Sequence, residues 1–411
     1  MRVLYNIFIA LYIFAAQIIA LGSPKAKLWI KGRRGLLKKI RSQMHPDEKR
    51  IWFHCASLGE FEQGRPLMER IKQRHPEYKI VLTFFSPSGY EIRKNYEYAD
   101  YIYYLPYDLP LHVKHFLNAV NPEMIFFIKY DFWFNYIHQA HQRGIPFYSV
   151  SCIFRPDQIY FRRAGKWMLQ QLKQITRFYV QDQTSLQLLQ QHQIPQAEIA
   201  GDTRFDRVSD IIRQSQKFPD IEHFCNHQFT LICGSTWLPD EMLIAKLFHQ
   251  HPDIKLIIAP HEIEEQHIYE LEHMFMKYKV LRYTQSASVL QLEEYNIMII
   301  DTIGMLSSIY YYGNIAYVGG GFGKGIHNIL EAATYGKPIL FGPKYHKFKE
   351  AADLIQLQGA CSFNKYQDLE KQFLLWKNNQ SALIQAGEIA ARYVRQNTKA
   401  AELIYNSVFN C

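Results

Sequence analysis

Two short stretches of the sequence carry residues whose types and spacing could do chemistry. The first, SLGEFEQG, places Ser57 and Glu60 three residues apart, between an apolar run and an amphipathic helix pattern. This spacing is typical of a capping box, in which each side chain hydrogen-bonds a backbone N–H of the first helical turn. A carboxylate at the same point could instead be a general base that takes a proton from a substrate. The two roles compete for one carboxylate, and the local sequence alone favours the cap.

The second stretch, YVGGGFGKGIHNILEAATYGKPILFGP, contains five glycines between Gly319 and Gly325, after a predicted strand. A helix is predicted from about His327. Glycines let the backbone approach a ligand closely, and a helix N-terminus offers free N–H groups to phosphate. The spacing fits neither the dinucleotide fingerprint nor the Walker A motif. We therefore favour nucleotide binding over a wide turn. Glu331 could accept hydrogen bonds from ribose hydroxyls, or could be an exposed helix residue.

Small polar groups follow two further predicted strands in the same half of the chain. Ser235 and Thr236 precede a helix pattern in CGSTWLPDE, where they could contact a phosphate or cap the helix. Pro260 and His261 follow the strand IIAP. A single histidine is more often structural than functional, but this one ends a strand close to the other candidates. These positions extend the predicted phosphate site.

The elements that must position these residues form a regular alternation of apolar runs and helical patterns from residue 51 onward. Near-continuous apolar strands alternating with helices predict parallel sheets covered on both faces. The polar stretch 204–228 lacks a strand pattern and predicts a domain boundary. The predicted fold class is α/β, with two doubly wound domains facing a cleft and ligands beyond the carboxyl ends of the strands. The predicted strands are 51–56, 79–84, 101–105, 124–128, 146–151, 177–182, 229–234, 255–260, 279–283, 297–301, 315–320 and 338–342.

The N-terminus combines an apolar run with much of the net charge of +9. Residues 3–21 are apolar except for Asn6, Gln17 and the tyrosines, which is about long enough to span a bilayer. A cleaved signal peptide is the alternative. The basic flank on the C-terminal side favours an uncleaved anchor, or a helix embedded at the membrane face, with the domains in the cytoplasm. The basic residues are Arg2, Lys25, Lys27, Lys31, Arg33, Arg34, Lys38, Lys39 and Arg41.

The same basic cluster would meet anionic lipid headgroups. Nucleic-acid binding is disfavoured, since no recognition motif accompanies the charge. The cysteines form no C-x-x-C motif and lie in or beside apolar runs, which predicts reduced core residues and neither a disulfide framework nor a zinc site. They are Cys55, Cys152, Cys225, Cys233, Cys361 and Cys411.

Taken in order, the motifs resemble one family over nearly the whole chain, the 3-deoxy-D-manno-octulosonic acid (Kdo) transferases. After the apolar segment come SLGEFEQGRPLMERI, YLPYDLP, FWFN, GDTRFD, GSTWLPDE, the glycine-rich stretch and FKEA. The first and penultimate motifs are the most specific. The resemblance implies the GT-B fold and inverting transfer of Kdo from CMP-Kdo to a lipid A precursor, lipid IVA, in lipopolysaccharide biosynthesis. It places the enzyme on the cytoplasmic face of the inner membrane, without a metal or other cofactor.

The resemblance also implies roles for individual residues. Glu60 is the implied catalytic base. Donor binding falls on Ser235, Thr236, Pro260, His261, Gly320, Gly321, Gly325, His327, Asn328 and Glu331. The acceptor side would include Ser57, Gly59, Lys129 and Asp131. The sequence departs from the family at KYDFWFN, where many members have ETELWPN, and at PHE, where many have PRH. Lys129 and Asp131, which could also be plain surface residues, thus replace two glutamates, and His261 replaces an arginine.

The implied organisation is a membrane anchor at 1–22, a basic membrane-proximal segment at 23–48, an acceptor-binding domain at 49–206, a linker at 207–228 and a CMP-sugar-binding domain at 229–411. Three other functions stay open: a GT-B enzyme with a different sugar nucleotide, a catalytically inactive membrane-bound scaffold, and a Rossmann oxidoreductase. A changed Glu60 or a broken glycine loop would favour the scaffold, and neither is seen. The oxidoreductase would need a dinucleotide fingerprint near the first strand, which is absent.

Overall fold

The computed structural model describes residues 1–214 and 216–410, so Cys411 lies outside the described residues. The chain forms two compact units. Unit 1 consists of Met1–Arg207 together with the segment that starts at Thr398, and unit 2 consists of Val208–Asn397. Each unit is built on a sheet of seven strands, and all strand pairs are parallel.

The strands of unit 1 are β1 (Lys49–Cys55), β2 (Tyr78–Phe84), β3 (Tyr101–Tyr104), β4 (Met124–Ile128), β5 (Phe147–Cys152), β6 (Arg177–Val180) and β7 (Ala197–Ile199). Those of unit 2 are β8 (Thr230–Thr236), β9 (Lys255–Pro260), β10 (Val280–Arg282), β11 (Ile297–Ile299), β12 (Ile315–Val318), β13 (Ile339–Phe341) and β14 (Ala360–Ser362). Every predicted strand is present. The structure adds β7 and β14, which the sequence analysis did not predict.

The helices before β8 are α1 (Arg2–Ile19), α2 (Pro24–Lys31), α3 (Leu36–Gln43), α4 (Leu58–Arg74), α5 (Pro87–Arg93), α6 (Pro110–Val120), α7 (Phe134–Gln142), α8 (Lys166–Leu172), α9 (Gln183–Gln191), α10 (Arg204–Gln214) and α11 (Pro219–Cys225). The later ones are α12 (Leu238–Gln250), α13 (Glu265–Met274), α14 (Leu306–Ile309), α15 (Leu330–Thr334), α16 (Lys349–Gln356), α17 (Tyr366–Asn378), α18 (Gln380–Asn397) and α19 (Ala400–Phe409). Short 3₁₀ turns lie at Ile159–Phe161, Arg163–Gly165, Tyr283–Ser288, Leu292–Glu294 and Tyr310–Tyr312.

The strand order fixes where a ligand could bind in each unit. Unit 1 has the order β3-β2-β1-β4-β5-β6-β7, and unit 2 has β10-β11-β9-β8-β12-β13-β14. The chain therefore reverses direction across the sheet between β1 and β4 in unit 1, and between β8 and β12 in unit 2. In open parallel sheets, ligands bind at the carboxyl ends of the two strands that flank such a reversal.

The strands are buried because helices cover both faces of each sheet, as the near-continuous apolar runs predict. In unit 1, Trp52 and Phe127 face one hydrophobic cluster while Phe53 and Phe126 face another. In unit 2, a cluster that includes Leu256 and Ile258 is covered by helices that include α12 and α17. On α4, the apolar residues that the sequence placed on one face are fully buried: Phe61, Leu67, Met68 and Ile71.

Helix α1 is docked on unit 1 through its polar residues. The hydroxyl of Tyr5 donates to Oδ2 of Asp108 at 2.5 Å, and Nδ2 of Asn135 donates to Oδ1 of Asn6 at 2.9 Å. Ile9 is buried on the same face. The opposite face is apolar and exposed, with Leu4, Ile7, Phe8, Leu11, Phe14 and Ile18 among its residues. By length and hydropathy, α1 is the one helix among the described residues that could cross a membrane.

The basic segment 23–48 is folded onto unit 1 rather than extended beside it. Leu36 and Ile40 of α3 are buried in the unit 1 core. Arg33, predicted to belong to the lipid-facing basic cluster, is instead turned inward. Its guanidinium donates to the carbonyls of Trp29, Phe85 and Leu105 and stacks over the Trp29 ring at 4.1 Å. Arg33 is therefore not available to lipid headgroups, whereas Lys25, Lys27, Lys31, Arg34, Lys38, Lys39 and Arg41 are exposed.

The C-terminal helix α19 belongs to unit 1, which differs from the predicted second domain of 229–411. Ile404 and Tyr405 pack in the hydrophobic cluster beneath β1. The carboxylate of Asp206 accepts the backbone N–H groups of Lys399 and Ala401 and so fixes the start of α19. The difference arises because the amphipathic pattern of α19 shows that the helix is packed, but does not show on which sheet.

The described cysteines are free thiols. Cys55, Cys152, Cys225 and Cys233 are buried, and Cys361 is half-buried. For these five residues the predicted role as reduced core residues agrees with their placement.

Candidate functional site

Glu60 lies at the carboxyl end of β1, at the reversal point of unit 1. Ser57 is the N-cap of α4, and Glu60 is its third residue, so the two form the predicted capping box. The backbone N–H of Ser57 donates to Oε2 of Glu60 at 3.0 Å. Only one carboxylate oxygen takes this bond, so the cap does not exclude a role for Glu60 in proton transfer.

The environment of Glu60 raises its pKa to about 7. Burial is the main cause, followed by the negative charge of Asp131, whereas Lys129 and the backbone N–H groups of Ala56 and Ser57 lower the pKa. A helix N-terminus by itself favours the ionised form of a carboxylate and would lower the pKa, but at Glu60 burial outweighs the N–H groups. A carboxylate with this pKa holds a proton more strongly than an ordinary glutamate, yet a large fraction is ionised at neutral pH.

Asp131 and Lys129 come from the loop after β4, the strand that pairs with β1. Oδ2 of Asp131 accepts two hydrogen bonds, from Nε2 of His54 at 2.8 Å and from Nε1 of Trp133 at 2.9 Å. The structure therefore brings Glu60, Lys129 and Asp131 into one electrostatic group. His54 was missed by the sequence analysis. Its signal was a histidine inside the fully apolar run IWFHCA, where a buried polar side chain needs a partner.

Ser57 and Gly59 lie just before Glu60 in the chain, at the start of α4. Gly59 is exposed, and a Cβ built on it meets no described atom within 4 Å. Steric fit within the protein thus gives no reason for glycine at this position. A bound molecule that approaches the backbone of Gly59 would give one.

The glycine-rich stretch lies at the reversal point of unit 2, after β12. Gly320 has φ of +90°, and a Cβ there would lie 2.5 Å from the carbonyl oxygen of Gly325. A Cβ on Gly321 would lie 2.6 Å from the backbone of Gly342. Gly325 has φ of +138°. The loop conformation therefore requires glycine at these positions, in agreement with a closely folded loop rather than a wide, open turn.

The helix after this loop is shorter than predicted. It begins at Leu330, not at about His327, and contains five residues. Asn328 accounts for the late start, because its Oδ1 accepts the N–H of Leu330 while its Nδ2 donates to Oε1 of Glu331 at 3.1 Å. The loop backbone and side chains, rather than a long helix dipole, are thus the groups that this segment offers to a ligand.

Asp240 ties the glycine loop to the start of α12, and the sequence analysis did not single it out. Its Oδ2 accepts the N–H of Trp237 at 3.0 Å and the N–H of Gly320 at 2.9 Å. Its Oδ1 accepts the hydroxyl of Tyr317 at 2.8 Å. This fully buried carboxylate thus links β12, the loop and the α12 N-terminus.

Ser235 and Thr236 lie at the end of β8, directly before α12. Ser235 has φ of +52°. The hydroxyl of Thr236 donates to Oε1 of Glu241 at 2.9 Å, and the carbonyl of Thr236 accepts the N–H of His261 at 2.9 Å. Because the Thr236 hydroxyl is already bonded to Glu241, Ser235 is the better candidate of the two for a ligand contact. Pro260 is buried at the end of β9.

Three rings gather at the same strand ends. The His261 ring stacks on Trp237 at 4.6 Å and on His327 at 4.5 Å. Nε1 of Trp237 donates to Nε2 of His327 at 3.2 Å. Burial and the nearby His261 lower the pKa of His327 to about 4, so His327 is neutral at pH 7 and its remaining proton is on Nδ1.

The predicted site residues therefore separate into two groups. Glu60, Ser57, Gly59, Lys129 and Asp131 surround the reversal point of unit 1, and the predicted donor residues surround the reversal point of unit 2. No cluster of three or more His, Cys, Asp or Glu side chains suited to a metal ion occurs in residues 1–214 and 216–410.

A family model and several curated proteins that resemble this chain carry the same description. The family model for 3-deoxy-D-manno-octulosonic-acid transferase matches residues 30–207. The 3-deoxy-D-manno-octulosonic acid transferase of Haemophilus influenzae is 26% identical over 370 residues, covering 87% of this chain and 86% of the relative. The enzyme of the same name from Aquifex aeolicus is 25% identical over 319 residues, covering 75% and 80%. The one from Chlamydia trachomatis serovar D is 25% identical over 380 residues, covering 88% and 86%.

Solved structures share the fold at low sequence identity. UDP-GlcNAc 2-epimerase from Neisseria meningitidis superposes with a TM-score of 0.62 at 14% identity, covering 88% of this chain and 100% of that one. MurG from Acinetobacter baumannii gives a TM-score of 0.56 at 10% identity, with the same coverages. These likenesses confirm the predicted GT-B type of α/β fold.

Proposed function

We propose that this chain is a member of the Kdo transferase family, which it resembles in sequence. In this proposal it transfers Kdo from CMP-Kdo to the lipid A precursor lipid IVA, with inversion at the anomeric carbon. One structural observation supports this proposal in addition to the sequence similarity. The implied base and the implied donor residues both lie at the reversal points of their sheets, where parallel α/β folds bind ligands.

Unit 1 supplies the general base in this proposal. An acceptor hydroxyl attacks the anomeric carbon of Kdo, its proton passes to Glu60, and the bond from that carbon to the CMP phosphate oxygen breaks. The raised pKa of Glu60 supports this role, because a stronger base draws the proton more effectively while a large fraction is still ionised near pH 7. The exposed backbone at Gly59 gives the acceptor sugar room to approach.

Unit 2 holds the donor in this proposal. The N-terminus of α12, a helix of 13 residues, and the backbone of the glycine loop offer N–H groups to the phosphate. Ser235, His327 through Nδ1, and Asn328 add side-chain donors, while the carboxylate of Glu331 can accept from the ribose hydroxyls. Pro260, His261, Gly320, Gly321 and Gly325 shape the surface against which the nucleotide lies. The departing CMP phosphate then receives stabilisation from groups that are already ordered.

The N-terminal segment holds the enzyme at the cytoplasmic face of the inner membrane in this proposal. The inner face of α1 is hydrogen-bonded to the rest of unit 1 through Tyr5 and Asn6. We therefore favour a helix that lies in the membrane surface over one that crosses the bilayer. The apolar outer face of α1 enters the lipid, and the exposed lysines and arginines of α2 and α3 meet anionic headgroups.

Mass spectrometry of the product tests the reaction. The purified protein, CMP-Kdo and tetraacylated lipid IVA should give a lipid product heavier by one or more Kdo residues, with release of CMP. E60Q is the matched control and should give little product in the same time. Release of CMP without a Kdo-lipid product would contradict the proposed acceptor, and transfer from a different sugar nucleotide in preference to CMP-Kdo would contradict the proposed donor.

A pair of substitutions tests the membrane position. L11E together with F14E places charges on the exposed face of α1 and should move the protein from the membrane fraction to the soluble fraction. The matched control is L11A with F14A, which keeps the face uncharged. A charged variant that still fractionates with membranes would contradict insertion of this face.

A further inference from the structure

We propose that Asp131 is a positioning residue for the transfer reaction: His54 and Trp133 hold its carboxylate near Glu60, where its negative charge strengthens Glu60 as a base. This inference rests on the proposed function of Glu60. It gives a role to a position at which this chain departs from the pattern of many family members.

The loop after β4 places Asp131 next to His54 of the neighbouring strand β1. Lys129, directly after β4, has φ of +62°, a conformation that is unfavourable for a residue with a side chain. Its backbone is anchored to the neighbouring strand β5. The N–H of Lys129 donates to the carbonyl of Val150 at 2.7 Å, and its carbonyl accepts the hydroxyl of Ser149 at 3.0 Å. These bonds hold the strained turn. Two residues later in the chain, the side chain of Asp131 contacts His54.

The hydrogen bonds of His54 orient Asp131. Nε2 of His54 and Nε1 of Trp133 both approach Oδ2 of Asp131. A carboxylate oxygen only accepts hydrogen bonds, so Nε2 of His54 is the donor and carries a proton. The other ring nitrogen, Nδ1, lies 2.9 Å from the hydroxyl of Thr83 and 3.1 Å from its carbonyl. Nε1 of Trp52 donates to the same hydroxyl at 2.8 Å. His54 and Thr83 are fully buried, so the chain of bonds behind Asp131 is rigid.

The side chains that interact electrostatically with Glu60 come from two elements. Asp131 and Lys129 come from the loop between β4 and α7, and Cys55 comes from β1. The pKa of the Cys55 thiol is raised, mainly by burial, so this thiol is uncharged. The opposed pair Asp131 and Lys129 therefore sets the local field at Glu60.

Asp131 itself faces few other titratable groups. His54 contacts it directly, and the phenols of Tyr160 and Tyr5 lie within its field. Burial, followed by Asp131, raises the pKa of Tyr160 to about 12, so Tyr160 is neutral at pH 7. The phenol of Tyr5 is likewise neutral, because burial and Asp108 raise its pKa. Neither phenol can cancel the charge of Asp131.

Because Asp131 and Lys129 carry opposite charges, removing each charge should shift the pH dependence of transfer in opposite directions. The rate kcat/KM for Kdo transfer would be measured against pH for the wild type, D131N and K129Q. Transfer requires ionised Glu60, so the acid limb of the wild-type profile reports its ionisation. D131N removes a negative neighbour and should move that limb down by about one pH unit. It should also lower the high-pH plateau severalfold, because a weaker base accepts the proton less readily. K129Q removes a positive neighbour and should move the limb up.

A purely structural role for Asp131 would change stability or rate but not the position of the limb. D131E keeps the charge and should retain the wild-type limb. W133F removes one of the two bonds to Oδ2 and should shift the limb in the same direction as D131N, by less. It also provides the test if D131N does not fold, which CMP titration and thermal melts will show.

The outcomes separate this inference from the proposed function. If the wild type transfers Kdo but the limbs of both D131N and W133F coincide with its own, the role of Asp131 is overturned. If D131N cannot be purified, an unmoved limb in W133F alone overturns it. If the wild type transfers no Kdo at all, the proposed function itself fails. A downward shift in D131N, with the wild-type limb in D131E, supports the inference.

Discussion

Each unit begins its sheet with a strand that leads into a helix, and the third residue of each helix is an acid. In unit 1 this residue is Glu60 after β1, and in unit 2 it is Asp240 after β8. Both carboxylates accept the N–H of the residue at the N-cap, at 3.0 Å in each case. The two acids are therefore equivalent as helix caps.

They differ in everything beyond the cap. Asp240 is fully buried and also accepts the N–H of Gly320 and the hydroxyl of Tyr317, so its hydrogen-bonding capacity is used within the protein. Glu60 is only half-buried, and Asp131 and Lys129 act on it through their charges. The same capping pattern can thus order a neighbouring loop in one unit and be suited to proton transfer in the other. The local pattern does not decide between these roles, but the neighbours do.

The largest expected effect comes from E60Q. Glutamine can still cap α4, so E60Q should fold cooperatively and bind CMP with the affinity of the wild type. Transfer should fall by about 10²–10⁴-fold, because an amide cannot accept the proton. Initial rates at saturating CMP-Kdo and lipid acceptor, together with thermal melts, provide the measurement. A rate for E60Q within a few-fold of the wild-type rate would contradict the role of Glu60 as a base and leave it as a helix cap only.

D240A should give the next largest effect, on stability rather than on chemistry. It leaves two backbone N–H groups and one hydroxyl in unit 2 without their acceptor, which should cost roughly 2–4 kcal/mol. The matched variant E60A loses a helix cap and should cost about 1 kcal/mol. Hydrogen-exchange mass spectrometry can measure each unit separately. Equal destabilisation by the two substitutions would remove the contrast between the two acids.

G320V tests whether the loop ordered by Asp240 is the donor site. Valine is strained at a φ of +90°, and its Cβ would lie 2.5 Å from the carbonyl oxygen of Gly325, so CMP affinity should fall tenfold or more, roughly 1.4 kcal/mol. G323A is the control, because a Cβ there meets only the oxygen of Gly320 at 3.6 Å. Calorimetric titration with CMP should distinguish them. Unchanged affinity in G320V would place the nucleotide elsewhere.

The smallest expected effect is a pH dependence of stability that belongs to Glu60. Its folded pKa of about 7 lies above the ordinary value of 4.5, so its contribution to stability is fully present below about pH 4.5 and is lost as pH rises through about 7. The wild type should therefore lose melting temperature relative to E60Q over this window. Parallel melting curves at several pH values measure the difference. A constant difference would mean that Glu60 titrates like an exposed glutamate.

The sequence predicted most of the sheets because their strands are buried on both faces and read as unbroken apolar runs. The two missed strands, β7 and β14, are the edge strands at one end of each sheet and have three residues each. Edge strands lack a second neighbour, so their residues need not be apolar. In β7, Glu198 and Ile199 are exposed.

Of the candidate site, the sequence predicted the residue types and the strand ends at which they lie. It could not give the direction of the Glu60 pKa shift, because that depends on burial and on Asp131, a residue 71 positions away in the chain. The same limit applies to Asp240 and His54. Their partners are brought close only by the pairing of strands that are distant in sequence.

The docking of α1 has a consequence for the order of events during synthesis. The partners of Tyr5 and Asn6 lie 103 and 129 residues further along the chain. At translation rates of about 5–20 residues per second, Asp108 emerges roughly 5–20 s after Tyr5. Throughout that interval α1 is an apolar segment without its protein partner. In the proposed membrane position, the nascent chain would meet the lipid surface before unit 1 can fold, and the folding unit would then bind a helix that is already at the membrane.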